Sequence, residues 1–203
     1  MATTTEPEKR SLVLPVEQRA SDDGKTTVAG YAAVFGDVAD IGGYFREVLA
    51  HGAFTQTLKT ADVRAYFDHD RGRFLGRSTA GTLRLKEDSK GLAVEIDLPD
   101  TSDGRDVRTL IERGDISGMS FGFIVTRQEW DETGEVPLRT IHEVDLIEVS
   151  IVSEPAYSGT SIALRSLDDA RNERRQTNFN AAAKRLGMKV TLDLRTRGAG
   201  SKA

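Results

Sequence analysis

Two long β-prone runs constrain the fold of this chain more than any other feature. Residues Met119–Trp130 and Leu138–Val152 are rich in branched and aromatic side chains, and Asp131–Gly134 between them carries residue types that form turns. Two such runs joined by a short polar turn predict a long antiparallel hairpin. Hairpins outnumber any β-α-β repeat in this chain, which favours a mainly antiparallel arrangement.

The rest of the pattern adds shorter strands and helices. Thr27–Phe35 and Val63–His69 have the composition of strands, and Leu83–Leu98 that of a second hairpin. Short helices are predicted within Gly52–Thr60 and 102–113. We therefore predict an α+β fold that is mainly β, with a small antiparallel β-barrel or curled sheet of about six strands flanked by helices.

Length and composition indicate one domain with extensions. The 203 residues suffice for a single core, so we predict a flexible lead-in over 1–26 with one short strand at Leu12–Leu14, a folded domain over 27–166 and a disordered tail over 167–203. The sequence contains no cysteine, which excludes disulfides, thiolate zinc sites and a cysteine nucleophile. It also lacks a run of about 18 apolar residues, so no membrane span is expected.

The modest net charge of −4 conceals an asymmetry. From Arg165 onward the chain carries ten Lys and Arg against four Asp and Glu, so the preceding body has a net charge of about −10. The basic tail fits a solvated extension or an arm for an acidic partner or nucleic acid. The acidic body argues against a DNA-binding domain, and we expect no specific nucleic acid partner.

One serine stands between two glycines at the start of the first long run. The segment Gly118–Gly122, with Ser120 at its centre, matches the G-x-S-x-G pattern of a nucleophile elbow. That elbow requires a strand before the serine and a helix after it, whereas this chain predicts the reverse order, so a small esterase is disfavoured. Small neighbours would let a substrate backbone approach the hydroxyl. The other interpretation is close packing within a strand.

Three histidines could act as a base for this serine. His69 lies where a predicted strand ends, and imidazole with its ordinary pKa of about 6.5 can accept a serine proton at neutral pH. His51 resembles a loop or helix-cap residue, and His142 lies within the second long run. Their scattered spacing does not form a metal-binding motif, and the chain has no phosphate-binding loop. We expect neither a metal nor a cofactor.

An acid to orient the base is expected on the second long run. Glu143, Asp145 and Glu148 lie in an otherwise apolar stretch, where an unpaired charge is costly. Strand alternation places Glu143 and Asp145 on one face and Glu148 on the other unless a bulge intervenes. Alternatively, all three point outward or pair with arginines.

Several of these segments, taken together, resemble the prohead (procapsid maturation) protease family of tailed bacteriophages. They follow the family's order over about residues 28 to 165: Gly30–Phe35, Phe45–Phe54, Phe67–Asp70 with Leu75–Arg77, Ile116–Phe123, Glu143–Val152 and Pro155–Ala156. One departure is His51, which stands where relatives tend to have proline. The resemblance identifies 27–166 as a protease domain.

The resemblance implies a fold like that of the herpesvirus assemblins, a small β-barrel wrapped by helices. It implies a base that precedes the nucleophile, which fits His69 and Ser120. In the corresponding strand it nominates Glu143 as the third member, with Glu148 as the alternative. His142 is a further option that would give a His-Ser-His arrangement.

The resemblance also implies a function. The family consists of serine endopeptidases that cleave scaffold protein or scaffold-like segments of the major capsid protein, and themselves, inside the assembling procapsid in the host cytoplasm. Backbone N–H groups of 150–153 or beside Gly122 are candidates for the oxyanion hole. Assemblins act as dimers, so a homodimer is possible here. The alternative is a capsid-assembly or scaffold protein that keeps the fold without catalysis.

Overall fold

A computed structural model describes residues 7–20, 26–116, 118–154 and 160–199. Contacts divide the chain into two units, 3–164 and 1–2 with 165–203. The first unit contains both sheets and two short helices. The second contains most of α3 (Thr160–Ala199), a single helix of 40 residues.

Eleven strands and two short helices precede α3. The strands are β1 (Glu8–Val13), β2 (Glu17–Ala20), β3 (Thr26–Val34), β4 (Val38–Ile41), β5 (Phe45–Leu49), β6 (Arg64–Phe67), β7 (Asp70–Arg77), β8 (Leu83–Glu87), β9 (Gly91–Asp97), β10 (Gly118–Asp131) and β11 (Leu138–Val152). The helices are α1 (Thr57–Thr60) and α2 (Ser102–Glu112), and a 3-10 turn spans Ser78–Ala80.

These strands form two sheets. The larger has seven strands in the order β1-β10-β11-β5-β4, with β6 pairing with β11 and β7 pairing with β6. The smaller has the order β2-β3-β9-β8. β11 pairs antiparallel with β10 but parallel with both shorter partners, with β5 through Leu138–Ile141 and with β6 through Glu148–Ile151. The larger sheet is therefore mixed.

Both sheets contribute to one apolar core. Alternate residues of the long hairpin, including Phe121 and Val149, belong to the same buried cluster as Leu92 and Val94 from the smaller sheet. Helix α2 begins at the N-cap Thr101, whose hydroxyl accepts a hydrogen bond from the backbone N–H of Gly104. Its Val107 and Ile111 are buried, one turn apart, as an amphipathic helix requires.

A cluster of charges lies buried where β1, β5 and β11 meet, and we call Glu8, Arg10, Glu47 and Arg139 the buried ion cluster. Arg139 is fully buried and binds Glu8 through two nitrogens at 2.8 Å and Glu47 at 2.9 Å. Arg10 binds Glu47 at 2.7 and 2.9 Å and Glu8 at 2.8 Å. Burial alone would raise the pKa of Glu8, but the hydrogen bonds and charges of Arg139 and Arg10 outweigh it and lower that pKa.

The structure confirms the long hairpin and the mainly β character with a few helices. It differs in number and pairing, with eleven strands instead of about six. Within the described ranges, the ladders do not close either sheet on itself, so the small barrel is not confirmed. The parallel pairings of β11 join segments about 80 to 90 residues apart, which no local sequence pattern reveals.

Both chain ends differ from the prediction as well. The predicted flexible lead-in 1–26 contains β1 and β2, and β1 pairs with β10 along its whole length. Its charged residues suggested solvent, but Glu8 and Arg10 are buried because they pair with Glu47 and Arg139. The tail 167–203, predicted to be disordered, lies largely within α3. No helix of the described residues has both the length and the apolar character to cross a membrane.

Candidate active site

The larger sheet has a second face, opposite the core, and we call it the Ser120 face. Met119, Phe121 and Phe123 belong to the core cluster, so the intervening Ser120 and Gly122 point the other way. The register places Ser150 directly opposite Ser120 and Glu148 directly opposite Gly122. Residues directly opposite in a ladder share a face, so Glu148 and Ser150 also lie on the Ser120 face.

A β-bulge explains why Glu148 lies there. Gly122 pairs with Glu148 while the next residue, Phe123, pairs with Leu146, so Ile147 is an extra residue in β11. Without the bulge, alternation would turn Glu148 toward the core. With it, Glu148 joins Glu143 on the face away from the core, so the alternation that predicted opposite faces for these two acids does not hold.

His69 is presented by the tight turn between β6 and β7. Phe67 pairs with Asp70, so Asp68 and His69 form a two-residue turn. Both have positive φ, 50° and 60°, as in the type I′ turns that usually contain Asn-Gly or Gly-Gly. Left-handed backbone is uncommon for residues other than glycine, and consecutive instances occur where the surrounding structure enforces them, often at functional sites.

The parallel pairing of β6 with β11 brings this turn to Glu148. The ladder runs from Glu148 opposite Arg64 to Ile151 opposite Phe67, and the turn follows at once. Nδ1 of His69 lies 2.7 Å from Oε1 of Glu148, with 15% and 9% of the two side chains exposed. With Glu148 ionised, Nδ1–H donates this hydrogen bond and Nε2 is left as the nitrogen that can accept a proton.

Gly122 makes room for the carboxylate. A Cβ placed on Gly122 would lie 2.8 Å from Cγ and 3.1 Å from Oε1 of Glu148. The Glu148 side chain thus lies over the backbone of β10, where only glycine leaves space for it. The second glycine of the G-x-S-x-G pattern therefore accommodates the acid. The expectation from the sequence was that it eases the approach of a substrate.

Ser120 lies beside this pair but makes a different hydrogen bond. It is diagonal to Glu148 in the ladder, a separation of about 7–8 Å between such residues. Its side chain is fully buried, and its hydroxyl donates to the carbonyl oxygen of Arg10 at 2.8 Å. No hydrogen bond joins Ser120 to His69 among the described residues. The opposite Ser150 is buried with no hydrogen-bond partner for its hydroxyl within the same part of the chain.

The structure places the other predicted residues elsewhere. Glu143, the first expectation for the acid, faces Arg127 at 3.6 Å on an exposed part of the hairpin. The reason is position along β11, because β6 pairs only with Glu148–Ile151 and the turn carrying His69 lies at that end. His142 lies 3.5 Å from Glu129. The ring of His51 packs against Phe35 with a centroid distance of 4.9 Å.

One of the backbone N–H groups expected to form the oxyanion hole already has a hydrogen-bond partner. The backbone N–H of Ser153 donates to the carboxylate of Asp68 at 2.7 Å. It is therefore engaged in this conformation and not directed at a substrate. Within the described ranges, no three His, Asp or Glu residues are grouped so that they could hold a metal ion.

A cavity of about 980 Å³ lies away from these residues. It is lined mainly by β7, the end of β9 and the start of α2, including Phe74, Leu98 and Asp103. Ser120, His69 and Glu148 do not line it. This cavity lacks the pairing of a base with an orienting acid, so the Ser120 face is the better candidate site.

A histidine bound to a carboxylate, on the sheet face that also carries a serine, is compatible with a serine hydrolase, and comparison with known proteins identifies the family. The sequence profile of the Caudovirus prohead serine proteases matches residues 14–173. The chain belongs to this family.

Two relatives extend the comparison. The prohead protease of Enterobacteria phage HK97 is 31% identical over 160 residues, which cover 75% of this chain and 66% of that protein, slightly less than two thirds of its length. The capsid assembly protease of bacteriophage T4 has a TM-score of 0.53 at 12% identity and matches 73% of this chain and 99% of that structure. At such low identity the second likeness concerns the fold alone.

Proposed function

We propose that this chain is a serine endopeptidase in which Ser120 is the nucleophile, His69 the general base and Glu148 the orienting acid. The observation that carries this proposal is the 2.7 Å contact of His69 Nδ1 with Glu148, on the sheet face that also carries Ser120. Glu148 replaces Glu143 as our choice of acid, because Glu143 lies beside Arg127. Membership of a serine protease family supports the same chemistry.

Each residue has one role in the reaction. The Ser120 hydroxyl rotates from the Arg10 carbonyl toward His69, Oγ attacks the peptide carbonyl carbon, and Nε2 takes the serine proton. The tetrahedral intermediate breaks its C–N bond as Nε2 returns the proton to the leaving amine. Water then hydrolyses the acyl-enzyme by the same relay. Throughout, Glu148 holds the imidazole in the Nδ1–H tautomer and stabilises the imidazolium that forms.

The substrates proposed are the scaffold protein, or a scaffold-like segment of the major capsid protein, and the chain itself. Cleavage takes place inside the assembling procapsid within the host cell. Family membership and the similarity to the prohead protease of phage HK97 support this role. The proposal requires neither a cofactor nor a nucleic acid.

Co-expression with the cognate major capsid protein tests the proposal. Mass spectrometry of the products should show defined new termini with the wild type and none with Ser120→Ala, a loss on the order of 10⁶ in rate. Ser150→Ala is the matched control, because it removes the directly opposite hydroxyl on the same face. Cleavage that persists in Ser120→Ala, or that is lost equally in Ser150→Ala, would remove Ser120 from its assigned role.

A non-catalytic capsid-assembly protein is the second candidate. It is favoured by one observation, that the Ser120 hydroxyl is fully buried and bound to the Arg10 carbonyl. Under this alternative the wild type and Ser120→Ala leave the capsid protein equally intact, yet both support assembly of procapsids. The same co-expression, followed by electron microscopy of the particles, separates the two functions.

A further inference from the structure

The turn that carries His69 is fastened to the end of β11 by Asp68. The Asp68 carboxylate accepts a hydrogen bond from the backbone N–H of Ser153 at 2.7 Å, and its two oxygens lie 3.0 Å from the Ser153 hydroxyl. The backbone N–H of Asp68 donates to the carbonyl of Ile151 at 2.9 Å, which extends the β6–β11 pairing by one bond. Side chain and backbone thus both fix this residue to β11.

These contacts matter because the turn itself is unfavourable. Asp68 and His69 adopt φ values of 50° and 60°, in the left-handed region that favours glycine. The type I′ geometry matches the twist of the flanking strands, but a turn without glycine still needs contacts that hold its two residues at positive φ. The contacts of Asp68 with Ser153 stabilise the turn conformation that holds the imidazole of His69 at Glu148.

We propose that Asp68 is a positioning residue: bound by Ser153, it fixes the β6–β7 turn so that Nδ1 of His69 meets Glu148. This inference rests on the proposed function for its catalytic consequence, but the geometry it explains is independent of activity. In the part of the chain that the structure describes, Asp68 makes its hydrogen bonds to Ser153 and Ile151 and none to Ser120 or Glu148, so we expect it to act through His69. A misplacement of the imidazole by about 1 Å can lower a rate about 10²-fold.

Three substitutions separate the contact from the backbone. Asp68→Gly tolerates positive φ and removes the contact with Ser153. Asp68→Asn also tolerates positive φ and keeps an oxygen that can accept from the Ser153 N–H. Asp70→Gly is the matched control on the other side of His69, because among the described residues the Asp70 carboxylate accepts a hydrogen bond only from the nearby Gly72 N–H, at 2.8 Å.

Reaction with a serine-directed fluorophosphonate gives the kinetic readout. Oγ of Ser120 forms a bond to phosphorus as fluoride leaves with the P–F electron pair and His69 takes the serine proton. We expect Asp68→Gly to lower the maximal rate of labelling about 10- to 100-fold with little change in the half-saturating concentration. Asp68→Asn and Asp70→Gly should react within about threefold of the wild type.

The proton NMR resonance of the His69 Nδ1–H, hydrogen-bonded to Glu148, gives a readout without turnover. It should persist in Asp68→Asn and Asp70→Gly and disappear through exchange with solvent in Asp68→Gly, while the melting temperature shows that the variant is folded. A wild-type resonance retained in Asp68→Gly, or lost equally in Asp70→Gly, overturns the proposal. If the wild type neither labels nor cleaves, the proposed function fails and this resonance still decides the role of Asp68.

Discussion

The buried ion cluster and the His69–Glu148 pair lie on opposite faces of one sheet and use ionic hydrogen bonds of similar length. Contacts in the cluster are 2.7 to 2.9 Å, and the pair is joined at 2.7 Å. The cluster and the pair differ in how many of their hydrogen-bonding groups have a partner. In the cluster both carboxylates are shared by Arg10 and Arg139, and Arg139 also binds Gln128. In the pair, no hydrogen-bond partner of His69 Nε2 is found among the described residues.

This difference distinguishes buried charges that stabilise the fold from buried charges that can take part in a reaction. A buried ionic group is costly unless every bond is made, and the cluster meets this condition by satisfying its members among themselves. A catalytic base has to leave one bond open, so it lies near solvent and depends on its neighbours for orientation. The same sheet thus offers one arrangement that holds the fold and another that can react.

The largest effect is expected from substituting Glu148, the proposed orienting acid, and it concerns the rate of peptide cleavage. Glu148→Gln should lower the rate of peptide cleavage about 10⁴-fold, because an amide cannot stabilise the imidazolium and can select the wrong tautomer. Glu143→Gln on the same strand should leave the rate within about twofold, since its partner is Arg127. Initial rates with a cleaved capsid peptide measure both. An equal loss in Glu143→Gln would restore that residue as the acid.

Removing an arginine from the buried ion cluster should affect stability more than chemistry. Arg139→Met leaves Glu8 and Glu47 with only Arg10, and we expect it to lower the free energy of unfolding by about 3–5 kcal/mol. Arg127→Met is the control on the neighbouring strand, because its pair with Glu143 is exposed and should contribute less than about 1 kcal/mol.

Urea denaturation measures both arginine variants. Similar losses of unfolding free energy in the two would show that burial does not distinguish these ion pairs. Loss of peptidase activity in folded Arg139→Met would show that the two faces are not separate in function.

A smaller effect is expected from substituting Gly122, the second glycine of the G-x-S-x-G pattern. Gly122→Ala places a methyl group 2.8 Å from Cγ of Glu148 and should displace that side chain from His69, lowering the cleavage rate about 10- to 100-fold. Gly134→Ala, in the turn of the same hairpin, meets nothing closer than 3.8 Å and should be neutral. Full activity of Gly122→Ala would mean that Glu148 can act from another rotamer.

The smallest expected effect is the pH dependence of stability. The pKa of Glu8 is lower in the folded chain than its ordinary 4.5, so its stabilising contribution is complete above about pH 4.5 and declines as the pH falls toward the folded value. Unfolding free energies at about pH 5.5 and 3.5 should fall more steeply for the wild type than for Glu8→Gln. Equal slopes would contradict a role for Glu8 in acid sensitivity.

The long hairpin could be predicted from local pattern, and the family resemblance nominated His69 and Ser120 as candidates. The sequence could not tell which acid contacts His69, because the contact of Glu148 depends on the bulge at Ile147 and on where β6 joins β11. It also missed that residues 8–13 and 17–20 form strands. Charged residues such as Glu8 indicate solvent exposure unless their buried partners are known, and Arg139, which binds Glu8, is 131 positions away.

The bulge at Ile147 also has a consequence for how this strand tolerates insertions and deletions. Loss of the single codon for Ile147 would leave Leu146 facing the core and Glu148 facing away, so the inside–outside pattern on both sides survives. Loss of one codon on either side, between Glu148 and Ile151 for example, would turn apolar residues outward. Length variation in this strand should therefore be confined to the bulged positions, Ile147 and His142, where it alters the local twist without exchanging the two faces.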